Sequence, residues 1–306
     1  MRGKSRQESA AWANLGPALL YMSPAILLFA AFTFVPFLRA IYLSFFTVNR
    51  NTFRPARFVG LGYYARILGL GDTPFGDRYL RSLLCTFEFA LMVVPPSIIL
   101  ALALAVLAQS KLKRIELFRT IFTSTVAISI ASAGVIWSVI YSPSLGIFKG
   151  LLEALRINAT GVLTDARTAM PAVALTTVWT SLGFNFIIAF AGLQAIPKEL
   201  YESGVIDGAG RWRLFTHITL PMLGPTLLFL LVMSTISSFE AFTQFKVLID
   251  SAGPDQSTNV FVYAIFDAFW SENNYGFASA MSVVLFTALL GLTIGQFKLD
   301  KTVHYQ

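Results

Sequence analysis

The sequence is short of the side chains that carry most soluble chemistry. One cysteine, Cys85, stands among 306 residues, so no disulfide can form within the chain. It lies in an apolar run and reads as core packing. The two histidines, His217 and His304, are far apart and give no metal-ligand spacing. No G-x-x-x-x-G-K-[ST] stretch occurs, which excludes nucleotide binding through that phosphate loop. An H-E-x-x-H helix, a Cys cluster and a Ser/His/Asp or Cys/His constellation are missing as well, so the common hydrolytic chemistries find no candidates. Charge is scarce: 13% of residues are charged and 56% hydrophobic. A typical soluble domain carries about 25% charged residues, so an ordinary water-soluble fold is excluded.

What the chain has is apolar length. Runs longer than about 18 residues recur, the length that crosses roughly 30 Å of hydrocarbon, and the mean hydropathy is +0.67. Pro17 to Phe46 reads as a first span rather than a cleavable signal, with Pro24 and Pro36 as kinks. Leu83 to Ala108 is a second span, broken by Pro95-Pro96, and Thr120 to Tyr141 a third. Met170 to Ala195, Leu220 to Leu248 and Tyr275 to Phe297 complete the set. Between the third and fourth spans, Ile147 to Ile157 has the pattern of a short amphipathic helix. The expectation is one all-α, polytopic membrane domain over residues 1–306, with about six transmembrane helices. The formal net charge of +7 would suggest nucleic acid in a soluble protein. In a membrane protein it is explained by basic residues that hold short loops in the cytoplasm, and no nucleic-acid partner is expected. Lys and Arg gather in the tail 1–15, in Gln109 to Arg119 and in the tail 298–306, whereas Ile249 to Asn274 has none. Both ends are therefore expected on the cytoplasmic side.

One polar interruption is more ordered than a connecting loop requires: IPKELYESGVIDGAGRWRLFTHITLPMLGP, from Ile196 to Pro225. Pro197 suits a helix start. Lys198 to Ile206 can form a short helix with Glu199 and Glu202 three apart. Asp207-Gly208-Ala209-Gly210 supplies the break, and Arg211 to His217 leads back into apolar sequence. The spacing of Glu202, Ser203, Gly204, Gly208, Ile218, Leu220 and Pro221 resembles the Glu-Ala-Ala loop of the membrane subunits of binding-protein-dependent bacterial ABC importers. Its wording is similar to the carbohydrate-uptake branch, the maltose-type and glycerol-3-phosphate-type permeases. Ser203 and Gly204 stand where that loop has alanines, and Gly204 weakens a helix by about 1 kcal/mol relative to Ala. FVGLGYYARIL (Phe58 to Leu68) and YGFASAMSVVLF (Tyr275 to Phe286) resemble the same branch, the first as interface anchor or binding-protein contact, the second through its small residues Gly276, Ala278, Ser279 and Ala280.

The resemblance implies the type I ABC importer permease fold in a bacterial cytoplasmic membrane. It implies a second homologous membrane subunit, two ATPase subunits and an extracytoplasmic binding protein, besides membrane lipid. ATP and Mg would be bound by the ATPase subunits, leaving this chain without cofactor. The cytoplasmic segment 196–218 becomes the coupling element, with Glu199, Glu202, Ser203, Gly204, Asp207, Gly208, Ala209, Leu220 and Pro221 toward an ATPase. Glu199 reads equally as an exposed acid at a helix start. Polar groups within spans are candidates for the substrate route, because an ionisable group at mid-bilayer costs at least about 2.5–3.5 kcal/mol. They are Glu240 and Gln244 on one face of the fifth span with Phe239 beside them, Asn185, Trp179 and Thr180 in the fourth, and Glu88 in the second. Hydrogen bonding between helices is the competing account of these groups, and Lys246 could neutralise Glu240. Carboxylates in spans favour a neutral sugar or polyol, while the glycerol-3-phosphate-type resemblance favours an anion. A secondary transporter would call for inverted repeats, which are not apparent, and a membrane enzyme for a catalytic cluster.

Overall fold

The computed structural model describes residues 20–48, 54–70, 76–109, 115–142 and 161–303. The tail 1–15 and the proposed helix Ile147 to Ile157 lie outside them. In chain order the helices are α1 (Leu20–Leu43), α2 (Gly62–Ile67), α3 (Gly76–Ala108), α4 (Ile115–Ala127), α5 (Ile130–Tyr141) and α6 (Ala169–Gln194). Then follow α7 (Lys198–Ile206), α8 (Arg211–Met222), α9 (Gly224–Phe239), α10 (Thr243–Leu248), α11 (Phe261–Trp270) and α12 (Tyr275–Val303). Four of them, α1, α3, α6 and α12, are long and apolar enough to cross a membrane, and the bent pairs α4–α5 and α8–α9 raise the number of spans to six. The chain divides into two compact units, Met1–Tyr64 with Ala268–Val283, and Ala65–Asp267 with Val284–Gln306.

In the first unit α1 carries a π turn, Ala30–Phe34, in which Val35 N–H reaches back to the carbonyl of Ala30. It falls just before Pro36, whose ring would otherwise press on the carbonyl four residues earlier. After α1 comes an antiparallel ribbon of β1 (Phe46–Val48) and β2 (Pro55–Phe58), with a bulge between Thr47 and Val48. Strands of three and four residues are too short to show a period, so the sequence reads as a plain polar connection there. Ser44 and Tyr64 share a 2.6 Å hydrogen bond, and Tyr63 stands edge-on to Phe277 at 5.4 Å.

Three apolar clusters hold the second unit together. One gathers Phe89, Trp137, Tyr141, Val173, Phe245 and Val260. Another joins Ala105, Phe186, Leu193, Ile196, Leu223 and Leu230. A third seats Phe239 with Ala90 and Val94 beside Leu285, Leu289 and Leu292 of α12. At Gly183 a Cβ would come within 2.2 Å of Thr125 Oγ1 and 2.9 Å of the carbonyl of Phe122, so α4 meets α6 at backbone distance.

Several expectations about the spans are corrected. The Pro95-Pro96 pair does not break the second span, because α3 runs through it without interruption. The third span is bent by 104° between α4 and α5. Ile128 and Ser129 are extended there, and the Ser129 side chain accepts from Ser132 N–H, capping the new helix. The fifth span turns by 65° between α8 and α9 and ends at Phe239, not at Leu248. The segment Ile249 to Asn274, read as an outer loop, is more than that: it holds α11, with Phe261 N–H donating to Thr86 Oγ1 at 2.8 Å in the core. The last helix continues to Val303 rather than ending before Lys298.

Candidate functional site

The projection between α6 and α9 is built by local rules. Ile196 is buried, and Pro197 precedes α7 as its extended N-cap rather than lying in its first turn. Past Asp207 the chain closes in a Schellman arrangement: Gly208 N–H bonds Val205 O at 3.0 Å and Ala209 N–H bonds Gly204 O at 2.9 Å. Gly208 takes φ +78°, the left-handed conformation that glycine adopts without strain. The returning limb, α8, packs on α7. Tyr201 and Thr219 hydroxyls meet at 3.0 Å, and a Cβ on Gly204 would lie 2.6 Å from Leu214 and 3.1 Å from Ile218. Gly204 therefore serves close approach within the projection.

Outward, the projection shows Glu199, Glu202, Ser203, Asp207 and Gly208, with Leu220 and Pro221 at the far end of α8. Ala209 is half-buried. Ile206 is 85% and Trp212 77% exposed. Apolar tips flanked by charged residues, Asp207 beside Ile206 and Arg211 and Arg213 on either side of Trp212, form a surface that another protein can cover. Inward, Tyr201 and Ile218 pack on the cluster of Leu193, Ile196 and Leu223, so the projection is continuous with three spans. Arg119 closes the same end. Its Nη2 donates to the carbonyl of Ala108 at 2.8 Å, at the end of α3, and its guanidinium lies over Phe190 at 4.7 Å.

Deeper in the unit a cavity of about 220 Å³ opens between α3, α6 and α9. Its polar wall consists of Ser97, Thr177, Ser181, Asn185, Ser234, Ser237 and Ser238. Asn185 is buried, and its Nδ2 has no partner. The hydroxyls of Ser97, Thr177, Ser181 and Ser238 donate to carbonyls of their own helices. Their oxygens keep free lone pairs, so this wall accepts hydrogen bonds and Asn185 can donate one. Asn185 lies nine residues before the end of α6, about 14 Å, close to half a bilayer from the projection.

Of the expected route residues, only Asn185 lines this cavity. Trp179 stands edge-on to Trp137 at 5.9 Å, and the Thr180 hydroxyl returns to Thr177 O at 2.9 Å. Phe239 is fully buried against Phe87, ring centres 5.0 Å apart. Glu240 and Gln244 do not share a helix face, which corrects that expectation: Glu240 is the exposed C-cap of α9, and Gln244 is buried in α10 beyond the break. Lys246 pairs with Asp250, not with Glu240. Glu88 lines a different cavity, with Arg81 and Arg167. The hydroxyl wall was not foreseen. Its signal was available in Thr177/Ser181 and Ser234/Ser237/Ser238, spaced at three and four along apolar helices.

A bundle of apolar spans around a polar cavity, bearing an exposed helical projection at one end, defines a membrane transport subunit. The sequence pattern of the binding-protein-dependent transport system inner membrane components matches residues 75–303, and the chain belongs to that family, a multi-pass protein of the inner membrane. It is 33% identical over 290 residues to the sn-glycerol-3-phosphate transport system permease protein UgpA of Agrobacterium fabrum, covering 94% of this chain and 95% of that one. The UgpA protein of Brucella abortus is 34% identical over 287 residues, 93% of this chain and 94% of the relative. In fold, the chain is similar to the crystal structure of a bacterial ABC transporter involved in the import of the acidic polysaccharide alginate. The TM-score is 0.77 at 22% identity, over 96% of this chain and 99% of that one. A second alginate transporter structure, in complex with alginate pentasaccharide-bound periplasmic protein, matches at TM-score 0.77 and 21% identity, over 96% and 98% of the two chains.

Proposed function

We propose that this chain is the membrane subunit through which an ATP-driven importer passes a sugar or related polyol. It works beside a second, homologous membrane subunit. Two separate ATPase subunits bind ATP and Mg, and an extracytoplasmic binding protein delivers substrate. The projection and both termini face the cytoplasm in this reading. The observation that carries it is continuity: α6 and α9 line the hydroxyl-walled cavity and also hold the two roots of the projection. Glu199 and Glu202 meet basic groups of an ATPase subunit, and Leu200, Val205 and Ile206 fill an apolar slot. When the ATPase subunits close, the projections move together and the spans behind them tilt as rigid bodies, exposing the cavity to alternate sides. In the cavity, hydroxyl oxygens and the Asn185 amide exchange hydrogen bonds with substrate hydroxyls, while Phe184 and Met233 cover apolar ring faces.

The names of the UgpA relatives favour a second reading, import of sn-glycerol-3-phosphate. The carboxylate argument for a neutral substrate loses its force, since Glu240 caps a helix end outside the Asn185 cavity. Reconstitution with the partner subunits in liposomes tests both. The expected result is ATP-dependent uptake, with ATPase activity stimulated by loaded binding protein. A panel of neutral sugars, polyols and glycerol phosphate then assigns the substrate. Uptake driven by an ion gradient without ATPase subunits would overturn the proposal.

A further inference from the structure

The end of the second unit opposite the projection holds a cavity of about 410 Å³ that the transport reading leaves without a role. It lies about 40 Å along α3 from Ala108. Arg81 of α3, Arg167 just before α6, Glu88 and Ser257 contribute its polar wall, and Met170 and Pro171 part of the apolar one. Two arginines and one glutamate, all three exposed, line it. Among the described residues no ion pair within 4.0 Å joins Arg81, Arg167 or Glu88, whereas Arg78 nearby in sequence is paired with Asp267 at 3.6 Å. Ser257 borders the cavity as well, and its hydroxyl oxygen has no hydrogen-bond partner. The first turn of α6 also borders the cavity, where the helix dipole places positive potential. Planar guanidinium forks match the oxygens of a phosphate or carboxylate.

We propose that this cavity is an entry subsite for the anionic group of the substrate, occupied after release from the binding protein and before the Asn185 cavity. The inference rests on the permease reading and narrows it to polar substrates bearing a phosphate or carboxylate. Glu88, lying deeper along α3, repels the anion from below and limits how tightly it is held, which an entry site requires for onward passage. A phosphate ester of a polyol fits the substrate named for the UgpA relatives, and a uronic acid presents the same chemistry through its carboxylate.

The test is protection of arginine in the assembled transporter. The complex with its partner subunits, in phosphatidylcholine nanodiscs, is treated with phenylglyoxal, and modification of Arg81 and Arg167 is read by peptide mass spectrometry. sn-Glycerol-3-phosphate at millimolar concentration is expected to slow modification of both at least threefold, while glycerol has no effect. Glucuronate in place of the phosphate ester tells which anion is preferred, and protection by either supports the site. In uptake assays R81Q/R167Q should raise KM for the protecting anion about tenfold, and R81K/R167K should recover part of the loss. Protection in parallel nanodiscs containing phosphatidylglycerol, with none given by the soluble anions in phosphatidylcholine, would make this a lipid contact and overturn the proposal. So would arginines that stay unreactive in every condition, covered by the second membrane subunit. ATPase stimulation by loaded binding protein in the unmodified complex separates the two levels: its loss defeats the permease reading, and its persistence without anion protection defeats this subsite alone.

Discussion

At Asn185 burial and function pull in opposite directions. A buried amide without a partner costs about 1–3 kcal/mol, and replacing it by an apolar group of similar shape is nearly neutral or stabilising. Asn185→Leu is therefore expected to leave thermal stability equal or higher, while uptake falls three- to tenfold as one substrate hydrogen bond of about 1 kcal/mol is lost. Uptake and unfolding measured on the same preparation check it, and a joint fall would mean that Asn185 only holds helices together. The residue was legible from sequence because a lone amide in an apolar span is conspicuous. The serines around it were not, since a hydroxyl in a membrane helix satisfies itself on its own backbone, as Ser97 and Thr177 do here. Glu240 and Gln244 misled for a related reason. Their spacing of four has meaning only on an unbroken helix, and the break at Ala241 and Phe242 has no proline or glycine to announce it.

Among the elements, α7 was legible to the residue, because Pro197 and Asp207-Gly208 mark both its ends. The bends were not. The turn at Ile128–Ser129 depends on a serine cap inside an apolar run, and hydropathy is blind to it. Prolines were equally ambiguous: Pro95-Pro96 lie within a continuous helix, whereas Pro36 and Pro221 each come two residues after the end of a π turn. In the second case Leu220 N–H bonds Phe215 O, and the extra residue makes room for the ring at the foot of the 65° bend. The C-terminal turn of α7 is the element most open to test. Gly208→Val forces a branched side chain into the left-handed region at about 1–2 kcal/mol, whereas Gly208→Asn tolerates it. Val is expected to speed proteolysis within 196–218 and to reduce recovery of ATPase subunits in pull-downs. Asn should leave both close to normal.

For the molecule as a whole, docking and transmission are separable, because the residues that show outward are not those that join the projection to the spans. Glu202 is exposed on α7, and reversing its charge leaves every described core intact. Glu202→Arg should abolish ATPase recovery and uptake together, and unchanged uptake would exclude Glu202 from the contact. Leu223 is the opposite case. It is fully buried at the 65° bend, packed in the cluster that unites α3, α6 and α9 with the projection. Leu223→Ala leaves a void and costs about 2–5 kcal/mol, the surroundings collapsing only in part. The docking face is untouched by this change, so ATPase subunits should still assemble, and loaded binding protein should still stimulate hydrolysis. The joint between projection and spans, however, is loosened. Substrate moved per ATP hydrolysed is then expected to fall severalfold, with Leu223→Met, which keeps the volume, near the original ratio. If hydrolysis and uptake decline in strict proportion, force does not pass through this cluster, and the projection must act on the cavity by another route.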